Sequence, residues 1–420
     1  MGMSRRGFGF GALALGLAGC MGDGAATGAR APEPAMRAVP DAGWDAWVAA
    51  FRGRAAARGI TQGTLDAAFR GAGFLPGVIE KDRNQTEFRR SLEDYLAIAA
   101  SDERVALGRA AAAREARTLA AVEARYGVDA HVVAAIWGLE SFYGTRQGEV
   151  PVISALSTLA YEGRRAEFFE SQLVAALRIL QAGDVAPERM TGSWAGAMGH
   201  TQFIPTSYLA HAVDFDGDGR RDIWGADPAD ALASTANYLA AAGWRRGEPW
   251  GREVVLPAGF DTGLAGRGRG RSVADWRALG IRAADGRGLP DGTASLFLPA
   301  GAGGPAWLLY PNFGVILRYN NAESYAVGVG HLADRLAGGG PPRGSFPPDA
   351  AGMTKADRQE LQRRLTAAGF DTGGADGVIG ARTVAAIRAF EGSPPATSSI
   401  SRVPRSRPPA MKAGSTPRSK

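Results

Sequence analysis

Cysteine occurs once in 420 residues and histidine four times. A single thiol excludes a disulfide framework, a CxxC redox pair and a thiolate zinc cluster. Four histidines leave little room for a multi-histidine metal centre. No GxxxxGK[ST] or GxGxxG follows a credible strand, which argues against nucleotide chemistry. The apolar run Gly7–Gly19, about 13 residues, is too short for a membrane-spanning helix, which needs roughly 20. What is present is a 45% hydrophobic, 21% charged chain. That composition describes a mostly globular protein, long enough for two or three domains with a sizeable core.

The formal net charge is +6, which by itself suggests nucleic acid, membrane or an acidic polymer as partner. Its distribution says otherwise. Arg5 and Arg6 give residues 1–19 a charge of +2, and Arg402, Arg405, Arg407, Lys412, Arg418 and Lys420 give residues 393–420 a charge of +6, with no acid in either segment. Residues 20–392 therefore carry −2. The body is slightly acidic, and a nucleic-acid partner is not expected.

Residues 1–19 have the basic start and short apolar stretch of a signal peptide. The stretch ends in Leu17-Ala18-Gly19-Cys20, which resembles the lipobox of bacterial lipoproteins, with Cys20 as the lipidated residue. Ser4-Arg5-Arg6-Gly7-Phe8 is similar to a twin-arginine export signal; a basic leader for the general export route fits equally. Met21 stands where an Asp would favour inner-membrane retention. The expected location is periplasmic, anchored to the outer membrane as a lipoprotein.

Residues 20–43 are Gly/Ala/Pro-rich and read as a tether. Residues 44–336 read as one largely helical body. Phe169, Leu173, Leu177 and Leu180 form a helical stripe closed by Gly183. Asp227 and Pro228 open, and Gly243 closes, a helix bearing Leu232, Thr235 and Leu239. Ala110–Arg125 is an alanine-rich helical run ending at Gly127. Residues 251–310 have Gly-rich turns and short apolar runs, predicting a small β-containing insertion. A Gly/Pro linker spans 337–353, a second small unit 354–392, and a Ser/Pro/Arg-rich tail, expected to be disordered, 393–420.

Val128–Gly144 reads VDAHVVAAIWGLESFYG. With Asp129 as cap, Val133, Ile136, Leu139, Glu140 and Tyr143 share one face, which sets Glu140 on an apolar stripe beside Trp137. Burial raises a carboxyl pKa, and a glutamate protonated near neutral pH can give a proton to a leaving oxygen and then take one back. A glutamate paired with Arg146 or Arg164 at the stripe's edge is the alternative.

The segment Gly138-Leu-Glu140-Ser-Phe-Tyr-Gly144 is similar to the catalytic-glutamate motif of lytic murein transglycosylases. Arg164-Arg165-Ala-Glu-Phe-Phe169, Gly192-Ser193-Trp-Ala-Gly-Ala-Met198-Gly199-His-Thr-Gln202-Phe-Ile-Pro205, Asp214–Trp224, Asn237-Tyr238, and Phe313–Asn320 followed by Tyr325 also match, in order. Together, over about 44–336, they resemble the membrane-bound lytic murein transglycosylase B family (glycoside hydrolase family 103). The resemblance implies a mainly α (α+β), lysozyme-like catalytic domain. It implies cleavage of the MurNAc-β-1,4-GlcNAc bond of peptidoglycan without water, leaving 1,6-anhydromuramyl ends. Glu140 would be the single acid and base, since the muramyl 6-hydroxyl supplies the nucleophile that a second carboxylate supplies elsewhere. Carried over residue by residue, Ser193 and Gln202 support Glu140, Tyr319 and Asn320 hold the muramyl group, and Arg164 and Arg165 bind carboxylates. Tyr238, Tyr325 and Phe168 are candidate sugar-stacking surfaces; the family often has Tyr at the position of Phe168. A hydrolytic muramidase, with Glu149, Glu162 or Glu167 as second carboxylate, and a non-catalytic wall-binding lipoprotein are the alternatives. No cofactor is needed for the chemistry. Peptidoglycan strands are the expected partner, with a membrane through the lipid anchor and periplasmic cell-wall synthases as further candidates.

Asp214, Asp216 and Asp218, with Gly219 in sixth position, match the start of an EF-hand loop. Asp222 continues the set. Gly225 replaces the usual twelfth-position Glu, leaving Asp227 or Asp230 to substitute. A structural calcium ion is the expected ligand; the alternative is a polar turn.

In the second unit, Thr354 and Asp357 form a capping box. Leu361, Leu365 and Ala368 form a stripe, Asp376–Gly380 a turn and Thr383–Phe390 a second helix. The pattern resembles a small helical peptidoglycan-binding module without its closing segment. Any salt-sensitive attraction to the anionic wall then belongs to the tail. Deleting 393–420 should weaken salt-dependent sedimentation with purified cell wall and leave cleavage of soluble fragments unchanged.

Overall fold

Glycine and small polar residues set the helix ends. The computed structural model describes residues 36–83, 91–349 and 351–391; the export leader, Cys20 and the basic tail lie outside them. Helix Ala166–Ala182 stops at Gly183, whose φ of 83° is accessible to glycine and whose N–H donates to Leu180 O at 3.0 Å. Its predicted stripe residues Phe169, Leu173 and Leu177 are buried. Helix Ala229–Ala241 begins slightly later than its sequence signature: Pro228 is the cap, and Asp227 Oδ1 accepts from Ala229 N (2.9 Å). The alanine-rich run is two helices, Asp102–Arg114 and Ala116–Tyr126. Glu115, at φ −95° and ψ 19°, redirects the chain between them, so that Leu119 and Val122 reach the core.

The chain divides into two compact units between Asp357 and Arg358. Among the described residues no helix is long and apolar enough to cross a membrane. The first unit is mainly helical, with the predicted β-containing insertion as a five-stranded antiparallel sheet. Its order is Arg271–Ser272, Thr293–Phe297, Ala306–Leu309, Gly251–Val255, Arg282–Ala283. Helix Val273–Ala278 buries Val273 and Trp276 against the sheet, and the Trp276 indole donates to Ala294 O (2.8 Å).

The helical part is built on two large apolar clusters. One holds helix Ala130–Ser141 with Phe313–Leu317 and helix Glu323–Leu336. The other holds Phe51–Val78, helix Val152–Glu162 and helix Ala166–Ala182. Tyr238 and Tyr319 pack against both. Helix Ala130–Ser141 is buried continuously from Val132 to Leu139, so it is a central helix rather than an amphipathic one. Glu140 comes at its end, where the two clusters meet.

At the start of helix Lys355–Ala367, which runs from the first unit into the second, the capping box forms reciprocally: Thr354 N donates to Asp357 Oδ2 (2.9 Å) and Asp357 N to Thr354 Oγ1 (3.2 Å). The expected stripe is corrected. The buried residues of helix Lys355–Ala367 are Arg358, Gln362 and Leu365, while Leu361 is half-buried and Ala368 exposed. Polar groups are buried because they serve the turn that follows. Arg358 Nε donates to Gly377 O (2.6 Å). Gln362 Nε2 donates to Asp376 Oδ1 (2.8 Å) and Val378 O (3.1 Å), and Gln362 Oε1 accepts from Gly377 N (2.7 Å). Gln362→Ala should destabilise the second unit by about 2–4 kcal/mol, since it leaves buried partners unpaired and a cavity. Accelerated amide exchange at Gly377 is the readout.

Candidate active site

The chain after helix Ala130–Ser141 turns sharply. Phe142, Tyr143 and Gly144 take φ of 53°, 59° and 85°. Two consecutive non-glycine residues in the left-handed region are strained, at a cost on the order of 1 kcal/mol each. The Tyr143 hydroxyl donates to Arg104 O (3.0 Å), and its ring meets Trp137 edge-on at 5.6 Å. Gly138 makes room for that ring: a Cβ there would lie 2.5 Å from Tyr143 Cζ. At Gly144 a Cβ would lie 2.5 Å from the His200 ring. Both glycines of the Gly138–Gly144 motif are thus required by close approach, and Gly144 by its φ as well.

Glu140 carries its carboxylate into this enclosure. Tyr325 Oη donates to Glu140 Oε1 at 2.6 Å. Burial pushes the Glu140 carboxyl up to about 7, and the Tyr325 hydrogen bond opposes that shift. Among the described residues, no second carboxylate contributes to it. The alternative ion pairs are not made: Arg164 binds Asp82, and Arg146 lies over the Phe142 ring at 4.5 Å.

Tyr325 corrects an expectation. The residue is 6% exposed, so its ring offers no stacking surface; what it presents to the site is the hydroxyl bonded to Glu140. The Tyr319 hydroxyl donates to Thr201 O (2.6 Å), and burial, reinforced by the Glu140 charge, raises its pKa well above the ordinary value. Tyr238 Oη donates to Arg318 O (2.5 Å), and its ring meets His211 at 4.7 Å and Tyr319 at 5.0 Å. Asn320 Oδ1 accepts from Ala322 N (3.2 Å), shaping the turn between the helices that carry Tyr319 and Tyr325.

Ser193 and Gln202 make no hydrogen bond to Glu140; they build the loop beside it. Ser193 Oγ accepts from Ala195 N (3.3 Å) and Ala197 N (3.1 Å). Gln202, at φ 54°, donates through Nε2 to Gln147 O (2.8 Å) and Gly199 O (2.9 Å). Arg164 is bound by Asp82: Nε donates to Oδ2 (2.8 Å) and Nη2 to Oδ1 (2.5 Å). Arg165 lies over Phe168 (4.6 Å) and Phe169 (5.3 Å), which leaves Phe168 half-buried beneath a guanidinium.

His200 is the residue sequence reasoning passed over. The Trp137 indole N–H donates to Nδ1 (3.1 Å), and Nε2 bonds Gly225 O (2.8 Å). An indole only donates and a carbonyl only accepts, so the ring is the neutral Nε2–H tautomer. Burial lowers its pKa, in keeping with that form. Ser141 Oγ donates to His200 O (2.5 Å). The imidazole therefore ties the Glu140 helix to the aspartate loop. The available signal was its place within Gly192–Pro205, in a chain with few histidines.

In that loop the carboxylate oxygens of Asp214, Asp216 and Asp218 lie within 4.8 Å of one another and are exposed. An all-oxygen set of this kind fits a hard divalent cation. Asp222 and Asp230 instead fasten the loop. Asp222 Oδ1 accepts from Trp224 N and Gly225 N, both at 2.9 Å. Asp230 accepts from Phe215 N (2.7 Å) and Asp222 N (2.8 Å).

A family profile described as transglycosylase SLT domain matches residues 43–334, and one described as putative peptidoglycan binding domain matches residues 354–393. Membrane-bound lytic murein transglycosylase B of Escherichia coli (strain K12) is 36% identical over 218 residues, covering 50% of this chain. The chain matches 58% of the length of that curated relative. SltB3 from Pseudomonas aeruginosa, solved in complex with NAG-NAM-pentapeptide, is 52% identical with a TM-score of 0.71, covering 84% of this chain and 95% of its own. The Escherichia coli lytic transglycosylase SLT35, solved with calcium, is 29% identical with a TM-score of 0.59, covering 71% of this chain and 93% of its own.

Because the Glu140 carboxyl is raised to about 7 from an ordinary 4.5, it binds protons more tightly folded than unfolded. The folded state then loses stability as pH climbs through that interval and is spared the loss below it. Glu140→Gln should raise stability at pH 8 by on the order of 2 kcal/mol, after allowance for partial solvent access, and by little at pH 4.5. Urea denaturation at the two pH values measures the difference.

Proposed function

Because the chain belongs to the SLT transglycosylase family, we propose that it is a peptidoglycan lytic transglycosylase acting at the MurNAc-β-1,4-GlcNAc bond through Glu140. The observation that carries this reading is a lone, enclosed carboxyl raised to about 7 and hydrogen-bonded by Tyr325. At neutral pH such a group populates both protonation states, as one residue acting first as acid and then as base requires.

Protonated Glu140 gives its proton to the glycosidic oxygen as the bond from C1 to that oxygen breaks. The muramyl 6-hydroxyl oxygen bonds to C1, and its proton passes to the Glu140 carboxylate. The 1,6-anhydro ring closes, the enzyme regains its starting state, and no water is consumed. Tyr325 fixes the carboxylate's orientation. Tyr319 and Asn320, on the turn facing it, hold the muramyl group. Ser193 and Gln202 serve through the loop they shape. Arg164, committed to Asp82, has less to offer a substrate carboxylate than Arg165.

Asp214, Asp216 and Asp218 would hold a structural calcium ion, which would brace the loop that His200 joins to the Glu140 helix. Residues 354–392 are read as a wall-binding module. Export, lipidation at Cys20 and outer-membrane anchoring complete the proposal.

A hydrolytic muramidase needs a second carboxylate to activate water. Glu162 accepts from the Arg83 guanidinium (3.0 Å) and Arg164 N (3.0 Å), and Glu149 and Glu167 are exposed. Mass spectrometry of fragments released from purified peptidoglycan decides between the readings. Ends one water lighter than reducing ends are expected; reducing ends alone would overturn the proposal for hydrolysis. Glu140→Gln should cut turnover by about 10²–10⁴-fold or more. Undiminished wall digestion in that variant would remove Glu140 from its role.

A further inference from the structure

The last turn of the Glu140 helix is attached to the rest of the unit by two side-chain bonds that end on one residue. Three positions before Glu140, the Trp137 indole N–H donates to His200 Nδ1 (3.1 Å). One position after it, Ser141 Oγ donates to His200 O (2.5 Å). Residues three apart in a helix are surface neighbours, so a bond at Trp137 and a bond at Ser141 together hold Glu140 against rotation about the helix axis. The turn needs that hold. Helix ends fray, and the chain beyond this one is strained at Phe142 and Tyr143.

His200 is itself a fixed post. Its backbone N–H donates to Ile223 O (2.9 Å), and its Nε2 bonds Gly225 O (2.8 Å). A Cβ on the preceding Gly199 would lie 2.3 Å from Ile223 O, so the two segments are in close contact. The following residue reaches another wall of the enclosure, where Tyr319 Oη donates to Thr201 O (2.6 Å).

We propose that His200 is a positioning residue for Glu140, and that it holds the carboxyl in place only while its Nδ1 is an acceptor. The inference rests on the transglycosylase reading for the task of Glu140. An imidazolium carries an N–H on both nitrogens. Protonation of His200 would set a donor against the Trp137 N–H and leave that buried indole without its acceptor. Burial lowers the His200 pKa, against the Gly225 carbonyl, Asp222, Asp227 and Glu115, which raise it. From the helix side the ring meets Trp137, Gly144 and Gln147, none of them charged. The two limbs of the pH profile then belong to different residues. Glu140 starts the cycle protonated, so its titration removes activity only as pH rises. His200 removes activity as pH falls, by releasing Trp137.

The test is kcat for cleavage of soluble glycan strands by the full chain and two variants, between about pH 4.5 and 8.5. The full chain should lose activity at both ends of the range. His200→Phe fills the site with a ring that has no acceptor; its kcat at neutral pH should fall about tenfold, with KM little changed. His200→Asn offers an acceptor that takes no proton. It should recover most of that loss, and its acid limb should disappear while the basic limb stays. An acid limb unchanged in His200→Asn, or absent from the full chain, would overturn the proposal. So would an undiminished kcat in His200→Phe, or an equal loss in both variants, the mark of a merely structural residue. Should His200→Phe fail to fold, the His200→Asn profile decides alone. Reducing ends in place of anhydro ends, with both variants behaving as expected, would count against the transglycosylase reading alone.

Discussion

A carboxylic acid in an apolar enclosure, with one hydroxyl on it, is the constraint around which the first unit is organised. Desolvation keeps the Glu140 proton available near neutral pH, and the Tyr325 hydrogen bond limits how far the shift goes. Both effects depend on placement. The carboxylate has to sit at the end of a helix buried on all sides, and the tyrosine has to arrive from a helix 185 residues away in the chain. Continuous burial of Val132–Leu139 supplies the first condition. The packing of helix Glu323–Leu336 in the same apolar cluster supplies the second.

The surrounding polar groups make this enclosure stiff. His200 accepts from Trp137 and donates to Gly225 O, so one buried neutral ring spans two loops and a helix. Gln202 joins the 147 and 199 segments through a single amide. Tyr238 and Tyr319 bond backbone carbonyls while their rings fill the seam between the two clusters. Groups that could have touched substrate are largely used up in holding the walls.

That division explains what could be read from the chain alone. Helix ends at Gly183 and Gly243, the insertion at 251–310 and the exposed position of Asp214, Asp216 and Asp218 follow from local chemistry, and local chemistry is what a sequence displays. The role of Tyr325 did not follow, because phenol-to-carboxylate pairing depends on two distant helices and nothing near residue 325 announces it. Ser193, Gln202 and Arg164 belonged to the right segments, yet their bonds go to nearby backbone and to Asp82. The break at Glu115 was invisible because alanine-rich sequence favours helix on both sides of it. Gln362 was hidden by its polarity: a pattern of apolar residues points to Leu361 and Ala368, whereas the turn at Gly377 asks for donors and an acceptor.

The left-handed residues Phe142, Tyr143 and Gln202 have an evolutionary meaning. Glycine at any of them would relieve backbone strain on the order of 1 kcal/mol, though it would also loosen the unfolded chain. Each would also erase a side chain that shapes the enclosure: Phe142 between Arg104 and Arg146, Tyr143 on the Arg104 carbonyl, Gln202 across its two loops. The packing and hydrogen bonds lost with such side chains outweigh the strain relieved, so the strained backbone is kept by stability as well as by the site, and thermostable descendants of this chain should gain their stability elsewhere.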